Sequence, residues 1–197
     1  MDSSSRQKIL GALRSASAPA APAPDLSAVG VRYDDKVARL ADAVAAVAGR
    51  LVRVADGAAL PAAVAALAAE VGASKVGSAV DGIPGNLDLA AVADPHALEG
   101  LGLAVLPGAF AVAENGAVWM PGAAVRPRAA FVITEHLALV VPAGEIVNDM
   151  HEAYRRLSFP GADFGTFIAG PSKTADIEQA LVIGAHGARS CTVFLVG

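Results

Sequence analysis

Three short runs, Leu103–Leu106, Leu137–Val141 and Cys191–Val196, are apolar at almost every position. A strand with one wet face alternates polar and apolar residues. A continuous apolar run fits a strand buried on both faces, as in a parallel sheet covered by helices. The segments between the runs agree with that. Asp34–Ala48 carries Val37, Leu40, Ala41, Val44, Ala45 and Val47 as a helical stripe, with Gly49 behind it as a stop. Leu51–Val54 reads as a strand, Leu60–Val71 as an alanine-rich helix opened by Pro61, and Lys75–Gly77 as the start of another strand. Helices alternating with short strands predict an α/β fold with a mainly parallel sheet. No G-x-G-x-x-G turn occurs among the early strand ends, so a dinucleotide fold of the nicotinamide-binding type has little support.

At 197 residues and 54% hydrophobic, the chain can bury one large α/β core, with or without an arm. Ser3–Arg14 predicts a short amphipathic helix with Ile9, Leu10 and Leu13 on one side, and Ser15–Pro24 is a Pro/Ala linker. That helix is either an arm for a neighbour or a frayed terminus. Aromatic residues make up 5%, the net charge is −4, and no basic run reaches five residues. This argues against nucleic acid and anionic membranes as partners. No uncharged apolar run approaches the ~20 residues of a membrane span, and Met1–Arg14 lacks the apolar core of a signal peptide. A cytoplasmic location is the expectation. Cys191 is the only cysteine and lies in an apolar run, so it reads as a structural thiol. The chain offers no cysteine-rich cluster for zinc or iron–sulfur, and no metal site is expected.

The polar chemistry gathers in a few places. Gly165–Ala169 predicts a buried strand, and Ile177, Ala180, Leu181 and Gly184 recur at helical spacing behind it. Between them lie Gly170, Pro171, Ser172, Lys173, Thr174 and Asp176. Thr174 suits an N-cap, Asp176 and Glu178 suit a first turn, and the junction would aim backbone N–H groups at an anion, with Lys173 adding a cation. This is not a Walker A loop, because Ser172 stands where the second glycine belongs. His186 would close that helix, either as a structural donor or facing a ligand. Earlier, Phe110–Ala113 predicts a central strand and runs into Glu114, Asn115 and Gly116 before Ala117–Met120 resumes. Asn-Gly there reads either as a hairpin turn or as a site at a strand end. Arg126 and Arg128 precede a run that reads as a buried strand, Ala130–Ile133, and suit a loop fork for a carboxylate or phosphate. His136 follows as a site imidazole or a turn residue. Glu145–Leu157 predicts a helix with Ile146, Met150, Ala153 and Leu157 inward. If these groups converge, Glu114, Asn115, Arg128, His136, Ser172, Lys173, Thr174, Asp176 and His186 suit a small anionic ligand, a carboxylate or phosphate. Gly170 is expected to bind that ligand as well.

The run from Gly170 through Gln179, with Gly184-Ala185-His186-Gly187 after it, resembles the C-terminal signature of the LUD (lactate utilization) domain family, in its lactate utilization protein C branch. Ala113–Gly116, Arg128 and His136 stand in the expected order, and the resemblance covers roughly Val31–Gly197. It places a helix and linker over 1–30 and the LUD domain over 31–197. It implies a three-layer α/β fold similar to glucosamine-6-phosphate isomerase, ribose-5-phosphate isomerase and the CoA transferases. It further implies a three-protein system that oxidises L-lactate to pyruvate, whose iron–sulfur and cysteine-rich motifs lie on the other two subunits. This chain would be the non-redox subunit and bind no cofactor itself. Two alternatives stay open. One is a free-standing enzyme, CoA-transferase-like or sugar-phosphate-isomerase-like, in which Glu114 is a covalent nucleophile and Lys173 and His186 also act in catalysis. The other is a regulatory module that binds a small anion. The chain departs from the family pattern at Asn115, where threonine is usual, and at Ala188, where proline is usual.

Overall fold

The computed structural model describes residues 3–16, 22, 24–25, 29–157, 164–175 and 181–197. In chain order the first elements are α1 (Ser3–Ser15), α2 (Lys36–Ala46), β1 (Arg50–Val54), α3 (Leu60–Glu70), β2 (Val76–Ser78), β3 (Leu87–Asp88) and β4 (Leu103–Pro107). Then come β5 (Phe110–Val112), β6 (Val118–Pro121), α4 (Ala130–Ile133), β7 (His136–Pro142), β8 (Ile146–Val147) and α5 (Met150–Arg156). The chain ends with β9 (Gly165–Ile168), β10 (Lys173–Ala175), β11 (Leu181–Ile183) and β12 (Ser190–Val196).

Six strands form one sheet in the order β1-β12-β7-β4-β2-β3, and every pairing in it is parallel. Its three longest apolar runs lie side by side in the middle, as full burial requires. Along β4, Leu103 and Val105 point to one face and pack with Leu60, Val64 and Leu67 of α3. Ala104 and Leu106 point to the other face and pack with Leu40 and Val44 of α2. Alternate residues of one strand thus serve two cores, and the run contains no polar residue because neither face meets water.

The α2 face is also covered by a second, four-stranded sheet in the order β8-β5-β6-β9, through Ala111, Val118 and Met120. The outer side of this second sheet carries its own cluster of Phe110, Val112 and Val147, capped by Ala153 of α5. The α/β layering with a mainly parallel sheet agrees with the sequence reading.

Four local expectations are corrected. Phe110–Ala113 is not a strand of the central sheet: β5 pairs antiparallel with β6 in the second sheet, Phe110 opposite Trp119. Ala130–Ile133 is a helical turn, not a strand. Ala130 and Phe131 are buried while Val132 and Ile133 are exposed, two in and two out, a helical rather than a strand period. The helix expected from Glu145 begins only at Met150. Ile146 and Val147 pair instead with Ala111 and Val112, as β-branched residues favour. Gly165–Ile168 is an edge strand of the second sheet, and it is half-buried, not buried.

α1 forms as expected, with Ile9 and Leu13 exposed. No helix of the described residues is long and apolar enough to cross a membrane.

Candidate functional site

No helix starts at Thr174. Lys173–Ala175 is β10, and it pairs antiparallel with β11, Thr174 opposite Val182. Thr174, Val182 and Ile183 are β-branched, and that preference outweighs a helical period read from four positions. Asp176, Ile177, Glu178 and Ala180 lie outside the described residues. The helix N-terminus expected to cradle an anion is therefore absent at Thr174, and other groups form the site.

A cavity of about 390 Å³ opens beside the amino-terminal ends of β7 and β12. Open α/β sheets usually bind ligands at the opposite, carboxyl ends. Its buried lining is apolar: Phe131, Leu137, Pro171 and Ala188. Its exposed lining combines cationic Lys173 and polar His186 with apolar Val132 and Ala169, and half-buried Thr166 and Ser172 add hydroxyls.

Backbone hydrogen bonds hold this loop. Ser172 N–H donates to the Ala188 carbonyl at 2.7 Å, and Gly184 N–H donates to the Ser172 carbonyl at 2.9 Å. Thr174 Oγ1 and His186 Nδ1 lie 3.2 Å apart and hydrogen-bond across the hairpin. Gly187 fits closely, since a Cβ there would stand 3.1 Å from that of Ser172. Gly170 turns the chain out of β9 with φ of +74°. Among the described residues, no hydrogen bond engages the Ser172 hydroxyl and no carboxylate pairs with Lys173. A smaller cavity of about 290 Å³ shares Val132, His186 and Gly187 and is flanked by the Arg189–Glu135 ion pair at 3.4 Å.

The structure thus brings together Gly170, Ser172, Lys173, Thr174 and His186. The other candidates stand elsewhere. Glu114 sits in the β5–β6 hairpin, where its carboxylate accepts the Met150 N–H at 3.0 Å and its carbonyl accepts from Arg39 at 2.7 Å. Asn115 turns that hairpin, its Oδ1 accepting the Ala117 N–H at 3.0 Å. Gly116, with φ of +73°, lies against α2, where a Cβ would come 2.9 Å from the Val44 nitrogen. Gly116 touches α2 at Ala43 and Val44, and Gly170 touches it at Val47. Arg128 is exposed and stacks over the Phe164 ring, 5.0 Å from its centroid. His136 is half-buried, and its Nδ1 lies 2.7 Å from Ser190 Oγ on the neighbouring strand. Burial holds this imidazole below its usual pKa; Arg189 adds to the shift and Glu135 opposes it. Neither Glu114 nor His136 lines the cavity. Among the described residues, no three His, Cys, Asp or Glu side chains cluster to hold a metal ion.

The sequence reading missed Phe131, Leu137 and Pro171 as cavity wall. Each looks like an ordinary core residue, and only the turn at α4 brings Phe131 to the loop. It also missed a carboxylate cluster at α5, where Asp149-Met150-His151-Glu152 has the capping-box spacing. The Asp149 carboxylate accepts the N–H groups of Glu152 and Val31, and the Glu152 carboxylate accepts the Asn148 N–H.

Cys191 lies under the loop. Burial pushes its thiol up to about 12, with the Gly170 N–H partly offsetting that. The thiolate is the reactive form, so native protein at pH 8 should resist iodoacetamide and react only in urea. Rapid alkylation of the folded protein, followed by mass spectrometry, would show that this residue is not the buried structural thiol described here.

A model of the LUD domain matches residues 103–196. Lactate utilization protein C of Halalkalibacterium halodurans is 30% identical over 91 residues, which is 43% of this chain. The match spans 40% of that relative's length. A DUF162 family protein from Deinococcus radiodurans superposes with a TM-score of 0.59 at 19% identity, over 82% of this chain and 96% of that one. At that identity the likeness concerns the fold alone.

Proposed function

We propose that the chain, whose residues 103–196 match a model of the LUD domain, serves lactate utilization as the non-redox subunit of a cytoplasmic iron–sulfur complex oxidising L-lactate to pyruvate. The similarity to a lactate utilization protein C carries this reading. The chain's own chemistry is consistent with it. Its one cysteine is buried with a raised pKa, so electrons would travel on iron–sulfur and cysteine-rich partners. What this chain contributes is binding. The Gly170–Ala188 cavity holds a small anion against Lys173, with His186, Ser172 and Thr174 around it. Glu114 and Asn115 build the hairpin that supports α5, and Arg128 and His136 stand outside the cavity.

Deleting the gene should abolish growth on L-lactate, and the restored gene should recover it. Tagged protein captured from lactate-grown cells should bring iron–sulfur partners whose lactate-dependent dye reduction disappears when this chain is removed. Normal growth and normal dye reduction in the deletion strain would overturn the proposal.

A further inference from the structure

The cavity is larger than a three-carbon hydroxy acid needs, and its buried wall is apolar. A closed apolar space of ~150 Å³ is enough for benzene, which has as many heavy atoms as lactate. The cavity here measures about 390 Å³, more than twice that. Its deep lining, Phe131, Leu137 and Pro171, is buried and has no side-chain polar group. Lactate's hydroxyl would find no partner among those side chains, whereas a hydrocarbon body would leave water there.

Phosphate sites are commonly built from converging backbone N–H groups. In this loop the Ser172 and Gly184 N–H groups are already donated to carbonyls, and that of Gly170 faces the Cys191 thiol. Lys173, with no carboxylate partner among the described residues, is left to meet an anion, with the Ser172 hydroxyl, the His186 ring and the His186 and Gly187 N–H groups beside it.

We propose that the Gly170–Ala188 cavity binds a monocarboxylate with an apolar body of roughly six to eight carbons, its carboxylate on Lys173 and its body against Phe131, Leu137 and Pro171. This deepens the anion-site reading above and rests on it. In a lactate-oxidising system such a ligand would act as an effector and not as the oxidised substrate.

The test is calorimetric titration of the full chain with butyrate, hexanoate, octanoate, L-lactate and inorganic phosphate. Affinity should rise about threefold to fourfold per methylene, with L-lactate and phosphate far weaker than octanoate. Lys173→Met should weaken octanoate about tenfold. Val132→Asp, at an exposed lining position, should weaken it as well, with circular dichroism unchanged for both variants. A flat chain-length series that still depends on Lys173 overturns this inference and leaves the anion site standing. Phosphate or lactate binding as tightly as octanoate also overturns it. No binding of any anion removes the cavity as a site altogether, and none of these outcomes bears on the lactate-growth test.

Discussion

Replacing Gly170 with alanine should destabilise the domain by about 3 kcal/mol. Two terms contribute. The residue has φ of +74°, a left-handed conformation that costs an L-residue ~1–2 kcal/mol. A Cβ there would also overlap the carbonyl oxygen of Val47 at the end of α2, and backbone cannot move aside as a side-chain tip can. Gly72 separates the terms. Its φ is +65°, yet a Cβ there would meet nothing within 4 Å. Gly72→Ala should therefore show only the conformational cost, ~1–2 kcal/mol. Urea denaturation of both variants gives the comparison. If Gly170→Ala loses no more than Gly72→Ala, the close packing of the site loop on α2 is wrong. The loop also faces Cys191, so Gly170→Ala should make that thiol accessible to iodoacetamide at lower urea than in the parent.

What was legible in the sequence follows from how much each signal depends on distant partners. Leu103–Leu106 and Leu137–Val141 are apolar throughout because both faces of β4 and β7 are covered, and their shortness marks them as strands and not helices. α2 was legible because its stripe and its Asp35 cap are local; Asp35 accepts the N–H groups of Val37 and Ala38. The placement of β5 was not legible. Phe110–Val112 is fully covered in either sheet, so composition cannot say which sheet it joins, and the Asn-Gly turn decides it.

The β10–β11 hairpin failed for a different reason. Lys173–Ala175 and Leu181–Ile183 pair with each other and with no other described strand. Two three-residue strands are too short to show an alternation. Of the candidate site, the sequence indicated the loop and its cation. The separation of Glu114 from Lys173 required the path of α2, which touches the two glycine turns at Ala43–Val44 and at Val47.

The other large effect should come from Asp149, whose side chain belongs to no candidate site. It is buried, caps α5 through the Glu152 N–H at 2.7 Å, and holds the chain before α2 through the Val31 N–H at 3.0 Å. Loss of a cap costs ~0.5–2 kcal/mol, and a donor left without a partner costs ~1–3 kcal/mol. Asp149→Ala should thus lose about 3 kcal/mol at pH 7. Those hydrogen bonds, that of Glu152 foremost, hold the carboxyl below its usual pKa, and His151 and Arg155 assist. Glu152 is held down in the same direction, chiefly by the Asn148 N–H. A depressed folded pKa means that the unfolded chain binds the proton more tightly, so this stability is complete above the unfolded carboxyl values near ~4. It is lost as pH falls through the folded values below them. The gap between parent and Asp149→Ala in urea midpoints should be widest at neutral pH and narrow from about pH 4 downward. A gap that stays constant into acid would mean that Asp149 contributes packing alone. Equal midpoints at pH 7 would mean that the 29–33 segment is not fastened to α5 through this carboxylate.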